Sequence, residues 1–209
     1  MEIGVKGLIA GRFEYTVALY DIDWSDIQIR SSCSSLALLC TVTGGDASVK
    51  GLEAELTAAL TDSLRLIGGY TYTDATLEEA KGGLTGLAED GARLPGSARH
   101  SGNVAVVSTT PLDGGLSLEL TASLSYAGKR KTDVQSLEME TLPTYTVIDV
   151  SASVSSEHWS LGLFAKNLSD ERSRISQLAT FEGSGGWGAE APAIARRPRT
   201  IGLSASYSF

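Results

Sequence analysis

The sequence predicts an all-β protein, an antiparallel meander of about nine strands, and two regularities lead to that prediction. The first is the alternation of apolar with small polar residues, the period of a strand with one apolar and one polar face. The second is a regular succession of short and long connections between the alternating segments. Composition agrees, because the 209 residues include 23 Gly but only 5 Pro, and Thr, Ser, Val, Leu and Tyr dominate the alternating segments.

The alternation delimits each strand in chain order. It is clearest in LSLELTASLSYAG, in KGLEAELTAAL and in YTVIDVSASV, where apolar residues occupy every second position. The last residues, IGLSASYSF, keep the pattern to the end of the sequence, unlike a solvated tail. The strands are predicted at 2–9, 12–30, 46–60, 63–75, 99–109, 115–127, 143–155, 159–168 and 198–209.

The lengths of the connections indicate that this meander belongs to a membrane barrel. Connections after the first, third, fifth and seventh strands are tight, whereas those at roughly 31–45, 76–98, 128–142 and 169–197 are long. An antiparallel order then puts all short turns at one end and all long loops at the other, as in a transmembrane β-barrel. Strands of about ten residues match the length that a tilted strand needs to cross a bilayer.

The two faces and the aromatic residues fit the same architecture. The polar face is mostly Ser, Thr, Gly and Glu, which suits a wet lumen, with Asp149, Glu53, Glu55 and Glu119 as expected lumen carboxylates. Aromatic belts are expected at two membrane interfaces, and Tyr145 is off phase and should point into the lumen. The expected belts are Trp159, Tyr207, Phe209, Phe13 and Tyr15 at the turn end, and Tyr70, Tyr72, Tyr126 and Trp24 at the loop end.

Charge and the N-terminal sequence narrow the class further. A net charge of −8 argues against a nucleic-acid partner, and no apolar run approaches the ~20 residues of a membrane-spanning helix. The opening MEIGVKGLIAGRF has no basic region, apolar core or cleavage site of a signal peptide.

Basic residues concentrate at the loop end of the predicted barrel. We hypothesise that some contact lipopolysaccharide phosphates, since Arg and Lys pair well with phosphate; a solvated charged rim is the alternative. The candidates are Lys129, Arg130, Lys131, Arg196 and Arg197.

Few residues suggest covalent or metal chemistry. Cys33 and Cys40 lie in one long loop with six residues between them, so an exported location permits a local disulfide; two free thiols are the alternative. No catalytic, metal-binding or cofactor-binding set can be assigned, and we expect no enzyme. The match of Asn167-Leu168-Ser169 to a glycosylation acceptor is interpreted as accidental.

Six pieces stand out in order along the chain: YDIDWSDIQ (20–28), VKGLEAEL (49–56), GYTYTDA (69–75), LPGSARHSGNV (94–104), FAKNLSDE (164–171) and RPRTIGLSASYSF (197–209). Together they resemble the C-terminal part of a TonB-dependent outer-membrane receptor. The terminal Phe209, with Ile201, Leu203 and Tyr207, resembles the signal by which the barrel-assembly machinery recognises outer-membrane barrels.

The resemblance implies a segment of a 22-stranded barrel in the outer membrane of a Gram-negative bacterium. Its partners would be outer-membrane lipid, lipopolysaccharide, the assembly machinery and a small-molecule ligand, with TonB reached only through a plug domain. Nine strands are odd, whereas single-chain bacterial barrels have an even number. We therefore expect residues 1–209 to be a C-terminal portion of the barrel, open or partial, without plug domain or signal peptide.

Three functional interpretations remain beside one structural alternative. The leading one is import of a scarce nutrient such as a siderophore, cobalamin or oligosaccharide. A small passive or structural outer-membrane barrel, or a non-functional truncated fragment, is the alternative. An outer-membrane enzyme would need a convergent catalytic set, which is not apparent. In a soluble β-sandwich, Leu116, Leu118 and Leu120 would face a second sheet.

Overall fold

The computed structural model describes residues 1–32, 39–134, 140–177 and 193–209. Nine strands form one antiparallel sheet in which each strand pairs with the next of the nine along the chain, and four shorter strands form two small hairpins, β7–β8 and β11–β12. In chain order the strands are β1 (Glu2–Ile9), β2 (Phe13–Ser32), β3 (Leu39–Ala59), β4 (Leu64–Ala80), β5 (His100–Leu112), β6 (Leu116–Ala127), β7 (Arg130–Lys131), β8 (Thr141–Leu142), β9 (Tyr145–Ser155), β10 (Trp159–Lys166), β11 (Arg174–Gln177), β12 (Ala193–Ala195) and β13 (Thr200–Tyr207).

The nine predicted strands are confirmed as the nine strands of the large sheet. Tight turns link β1 to β2, β3 to β4, β5 to β6 and β9 to β10. The remaining connections, from β2 to β3, β4 to β5, β6 to β9 and β10 to β13, join the opposite ends of the strands. Short turns therefore lie at one end, here called the turn end, and long connections at the other, the loop end. Within the described residues, β1 and β13 each have one neighbour in the sheet.

The first hairpins are longer at the loop end than the sequence predicts. β2 and β3 remain paired as far as Ser32 and Leu39, and β4 extends to Ala80. The described residues of the predicted connection at 31–45, namely 31, 32 and 39–45, are thus strand. The β2–β3 register shifts between Trp24 and Gln28, and this shift breaks the alternation that would have extended the strand prediction.

One face of the large sheet exposes large apolar side chains. Leu203 is 81% exposed and Leu120 is 45% exposed, although soluble proteins rarely expose such a continuous apolar surface. Among the described residues the other sheets are the two small hairpins, so Leu116, Leu118 and Leu120 face no second large sheet. The sandwich alternative is therefore wrong, and the apolar face is the one that a barrel turns to lipid.

A small apolar core lies at the loop end, on the opposite face of the sheet. It consists of Ile27, Ala47, Leu77, Leu84 and Val134. The chain after β4 forms a 3₁₀ turn at Gly82–Leu84 and folds back along β4, where Leu77 N donates to Ala92 O and Leu94 N donates to Ala75 O. No helix in the described part of the chain is long and apolar enough to span a membrane.

Candidate functional site

Strand register assigns each side chain to one of two faces. On the apolar face, Leu118 of β6 pairs with Val154 of β9, which pairs with Leu161 of β10, and the series continues to Ala205 of β13. Side chains with the other parity form the polar face. The expected lumen carboxylates Glu53, Glu55, Glu119 and Asp149 all occupy polar-face positions, as does Tyr145.

Aromatic side chains mark both ends of the apolar face. At the turn end Trp159 pairs with Tyr207, and the rings of Tyr207 and Phe209 make an edge-on contact with centroids 5.2 Å apart. At the loop end His100 lies against Tyr70 and Tyr72, with ring centroids 6.2 and 5.3 Å away. Aromatic residues on both sides of an aliphatic band are the arrangement found at the two interfaces of a bilayer.

Trp24 does not belong to the loop-end belt. The unbroken β2–β3 register from Phe13 to Trp24 gives Trp24 the same face as Tyr20, whose hydroxyl lies 3.0 Å from Thr73 Oγ1 on the polar face. The prediction for Trp24 was wrong because it used distance along the chain without counting parity.

A row of charges lies just beyond the loop-end belt. Lys50 pairs across the strands with Asp21 and Asp74, and Arg93 and Arg99 both donate to Asp74 Oδ1, at 2.8 and 2.9 Å. The pKa of Asp74 is lowered, chiefly by the Arg99 hydrogen bond. The change from aliphatic to charged residues along the same face indicates where the apolar band ends.

A cavity of about 980 Å³ opens on the polar face at the loop end. Its wall combines strands β5, β6, β9 and β10 with the segment that precedes β13. At its centre the Tyr145 ring has the guanidinium carbons of Arg196 and Arg130 at 3.7 and 4.8 Å from its centroid. Arg130 is only 8% exposed, and both arginines line the cavity.

Asn167 connects the end of β10 to the chain that enters β13. Its side-chain Nδ2 donates to the carbonyls of Glu171 and Arg197 at 2.9 and 2.8 Å, and its Oδ1 accepts from Glu171 N. Its own backbone N–H donates to Asp149 Oδ1 at 2.7 Å. Because this side chain is committed inside the protein and the residue is 6% exposed, Asn167 has a structural role, in line with the interpretation of the acceptor match as accidental.

Asp170 strengthens the same junction by charge. Its carboxylate accepts from the Arg172 guanidinium at 2.8 and 3.0 Å and from Arg199 N at 2.8 Å. These bonds lower the pKa of Asp170, the Arg172 hydrogen bond most. The segment before β13 is thus held against the end of β10, and this places Arg196 over Tyr145.

The structure separates the five candidate lipopolysaccharide contacts. Arg130, Arg196 and Arg197 line the cavity on the polar face, a position that does not fit the expected contact with lipid outside. Lys129 is exposed, and Lys131 Nζ donates to Thr141 Oγ1 at 2.9 Å. Sequence reasoning selected these arginines by composition, but it had no means of bringing residues 130 and 196 together.

The other predicted sites have simpler outcomes. Ile201, Leu203 and Tyr207 lie on the apolar face of β13, and Phe209 follows it, all strongly exposed. Cys33 lies outside the described residues, as does the side chain of Cys40, so the disulfide remains a prediction. Within the described ranges, no group of three or more His, Cys, Asp or Glu could hold a metal ion.

Comparisons with known proteins agree with this architecture. Residues 1–168 match the family model described as TonB dependent receptor-like, beta-barrel. The metal-pseudopaline receptor CntO of Pseudomonas aeruginosa is 30% identical over 173 residues, 82% of this chain and 23% of that protein. The ferrioxamine receptor of Yersinia enterocolitica is 25% identical over 158 residues, 71% of this chain and 19% of that protein.

A solved structure shows the same fold. The ferric yersiniabactin uptake receptor FyuA of Yersinia pestis superimposes with a TM-score of 0.79 at 18% identity, covering all of this chain and 29% of that one. The chain therefore spans roughly a quarter of the length of the receptors it matches. The matched proteins are receptors, which agrees with the expectation that the chain is not an enzyme. Nine strands in this order, with one apolar and one polar face, and a family match over residues 1–168 establish that the chain belongs to the TonB-dependent receptor family, as part of its β-barrel.

Proposed function

We propose that the chain is the outer-membrane barrel segment of a TonB-dependent transporter that imports a scarce metal as a siderophore-type chelate. One observation carries the proposal: the family match over residues 1–168 covers eight of the nine strands of a sheet whose apolar face is exposed and whose polar face holds a cavity of small-molecule size. The names of the two curated relatives support the chelate class, since one is a metal-pseudopaline receptor and the other a ferrioxamine receptor.

The chain works, in this proposal, as the C-terminal part of a larger barrel. Its matches cover 23% and 29% of two receptors, and a strand edge in lipid would leave backbone N–H and C=O groups without partners. Strands outside these 209 residues would pair with β1 and β13. A plug domain, and with it the contact to TonB, would also lie outside this sequence.

The proposed location is the outer membrane of a Gram-negative bacterium, with lipopolysaccharide as a partner. We keep the contact proposal for Lys129 and Lys131, because the three candidate arginines line the cavity. Lys129→Gln with Lys131→Gln should reduce the lipopolysaccharide that co-purifies with the protein, whereas Lys6→Gln, at a polar-face position near the turn end, should not. Equal amounts of lipopolysaccharide in the wild type, the double variant and Lys6→Gln would contradict the proposed contact.

Energised uptake separates the transporter from a passive barrel. We would delete the gene in its host and measure uptake of ⁵⁵Fe, supplied as ferrioxamine and as ferric chelates extracted from the host's own iron-starved medium. The expected result is a loss of uptake for at least one chelate, restored by the full-length gene and abolished when TonB is removed. Uptake that depends on the gene but not on TonB would indicate a passive barrel and overturn the proposal.

A further inference from the structure

We propose that Arg130, Tyr145 and Arg196 form an anion-binding subsite in the polar-face cavity, which selects chelates that carry negative charge. This arginine–tyrosine subsite deepens the proposed transport function and rests on it. The ligand would offer carboxylate or phenolate oxygens to the two guanidinium groups and an apolar body to the neighbouring wall.

The two arginines carry charge that is unpaired within the described residues. Nε and Nη2 of Arg130 and Nε of Arg196 are buried without a hydrogen-bond partner. Neither arginine is in a salt bridge with any part of the chain that the structure describes. Burying a charged group without a partner is costly, and two guanidinium groups on one ring also repel each other. Within the part of the chain that the structure describes, the two arginines therefore have no counter-anion.

The described residues near the two arginines do not supply this anion. Asp149 lines the same cavity, but its Oδ1 accepts the Asn167 N–H at 2.7 Å. Lys166 and Arg197 also line the cavity and add two further positive charges. Among the described residues that line the cavity there are thus four cationic side chains and one carboxylate, so the net positive charge favours binding of a further anion.

The volume of the cavity and the apolar part of its wall also bear on the kind of ligand. A volume of about 980 Å³ lies at the upper end of the range of small-molecule sites. Phe164 and Val147 contribute apolar surface next to the arginines. Guanidinium groups bind carboxylates through planar, bidentate hydrogen bonds, and both guanidinium groups are in cation–π contact with the Tyr145 ring. This combination fits an anionic metal chelate with an apolar body.

The test measures binding of two ferric chelates that differ in charge. The complete gene product would be purified from outer membranes in detergent and titrated with ferric citrate, which is anionic, and with ferric tris(maltolate), which is neutral. Quenching of tryptophan fluorescence would report the affinity. Arg130→Gln combined with Arg196→Gln should weaken ferric citrate binding by about tenfold or more, the usual effect of losing hydrogen bonds to charged groups, and should leave ferric tris(maltolate) unchanged.

Two control variants sharpen the result. Arg65→Gln makes the same charge change at a polar-face position near the turn end, where Arg65 pairs with Val107, and should bind ferric citrate like the wild type. Arg130→Lys with Arg196→Lys keeps the charge but loses the planar stacking, and should fall between wild type and the double Gln variant. Heat-modifiable electrophoretic mobility checks that each barrel is folded, and Arg196→Gln alone, in an irregular segment, serves if the double variant does not fold.

The outcomes distinguish this inference from the proposed function. Equal ferric citrate affinity in wild type and the folded double Gln or Arg196→Gln variant would overturn the subsite, even if TonB-dependent uptake is intact. Absence of ferric citrate binding by the wild type would overturn it as well. Loss of ferric citrate binding in the variants together with TonB-independent uptake would support the subsite and overturn only the transport proposal.

Discussion

At the scale of single residues, Asn167 shows how one side chain can fix the geometry of a site that it does not enter. It has a positive φ of 51°, a conformation that Asn tolerates better than most residues, and it forms the bonds that hold the β13 entry against β10. Sequence reasoning found the residue only in a family-like piece and in an accidental acceptor match, because its partners lie up to 30 positions away.

We predict that Asn167→Ala lowers the free energy of unfolding in detergent by about 3 kcal/mol, from the lost hydrogen bonds and the left-handed backbone. Asn167→Gly relieves the backbone strain and should lose less, so the difference isolates the conformational part. Asn103→Ala, at an exposed polar-face position, is the control and should be nearly neutral. Denaturant titration measures all three; an equal, small effect for every variant would contradict the role of Asn167.

A second prediction at this scale concerns pH and the Asp46–Lys81 pair outside the membrane band. Asp46 accepts from Lys81 Nζ at 2.7 Å and from Asp26 N at 3.1 Å within the bulge of β2. The Lys81 hydrogen bond chiefly, then the one from Asp26 N, lowers the pKa of Asp46 below the ordinary aspartate value of 3.8. Because the pKa falls on folding, the stabilisation is present above pH 3.8 and is lost as pH falls through the lower folded value.

Hydrogen exchange at the β2–β3 bulge, corrected for intrinsic rates, should therefore lose protection as the solution is acidified below about pH 4. Asp46→Asn keeps a hydrogen-bond acceptor but removes the charge, and should show the low protection without this pH dependence. Asp23→Asn, in the neighbouring strand β2, is the matched control. Wild-type protection that stays constant from neutral pH to pH 2.5 would refute the prediction.

At the scale of elements, cross-strand pairs of glycine and an aromatic residue hold neighbouring strands in register. Gly51 lies directly opposite Tyr20, Gly7 opposite Tyr15 and Gly202 opposite Phe164. In each pair the aromatic ring occupies the space that a side chain at the glycine position would need. The Tyr20 ring crosses Gly51 to place its hydroxyl 3.0 Å from Thr73 Oγ1 on β4, so three strands are joined at one level.

Gly51→Ala should destabilise the protein by about 2 kcal/mol, because the new methyl group would collide with the Tyr20 ring and the Tyr72 carbonyl. Gly68→Ala, in the adjacent strand, is the control, since its added methyl group meets only Asn103 O at 3.6 Å. Denaturant midpoints in detergent give the comparison. If both variants unfolded at the same denaturant concentration, the ring-over-glycine contact would have no role in stability.

At the scale of the whole molecule, the C-terminal residue tests how the barrel reaches its membrane. Phe209 contacts Tyr207 edge-on and is otherwise exposed, so its packing contributes about 1 kcal/mol. We nevertheless predict that Phe209→Ser in the full-length product reduces folded barrel in the outer membrane several-fold, because in the proposed assembly signal this residue would be the one that assembly factors bind. Heat-modifiable mobility of outer-membrane fractions measures it, with Ser208→Ala as control. Unchanged assembly of Phe209→Ser would reject the assembly signal.

The sequence by itself determined the strands, their order and the two faces, because period-two alternation is a local property and the alternating connection lengths allow one simple meander. The terminal strand and the family resemblance could likewise be recognised from short stretches of the sequence. Strand ends beyond the membrane band were missed, since bulges such as that between Trp24 and Gln28 shift the parity where lipid no longer enforces it.

Only the tertiary structure decided which distant residues form a site. Arg130 follows β6, Tyr145 begins β9 and Arg196 precedes β13, and each looked like an isolated residue of a strand or loop. Pairing of β6 with β9 and the Asn167 junction bring the three side chains together. Such a cluster depends on strand register and on loop closure over 66 positions of the chain. The lack of partners for its charges can therefore be recognised only in the folded structure.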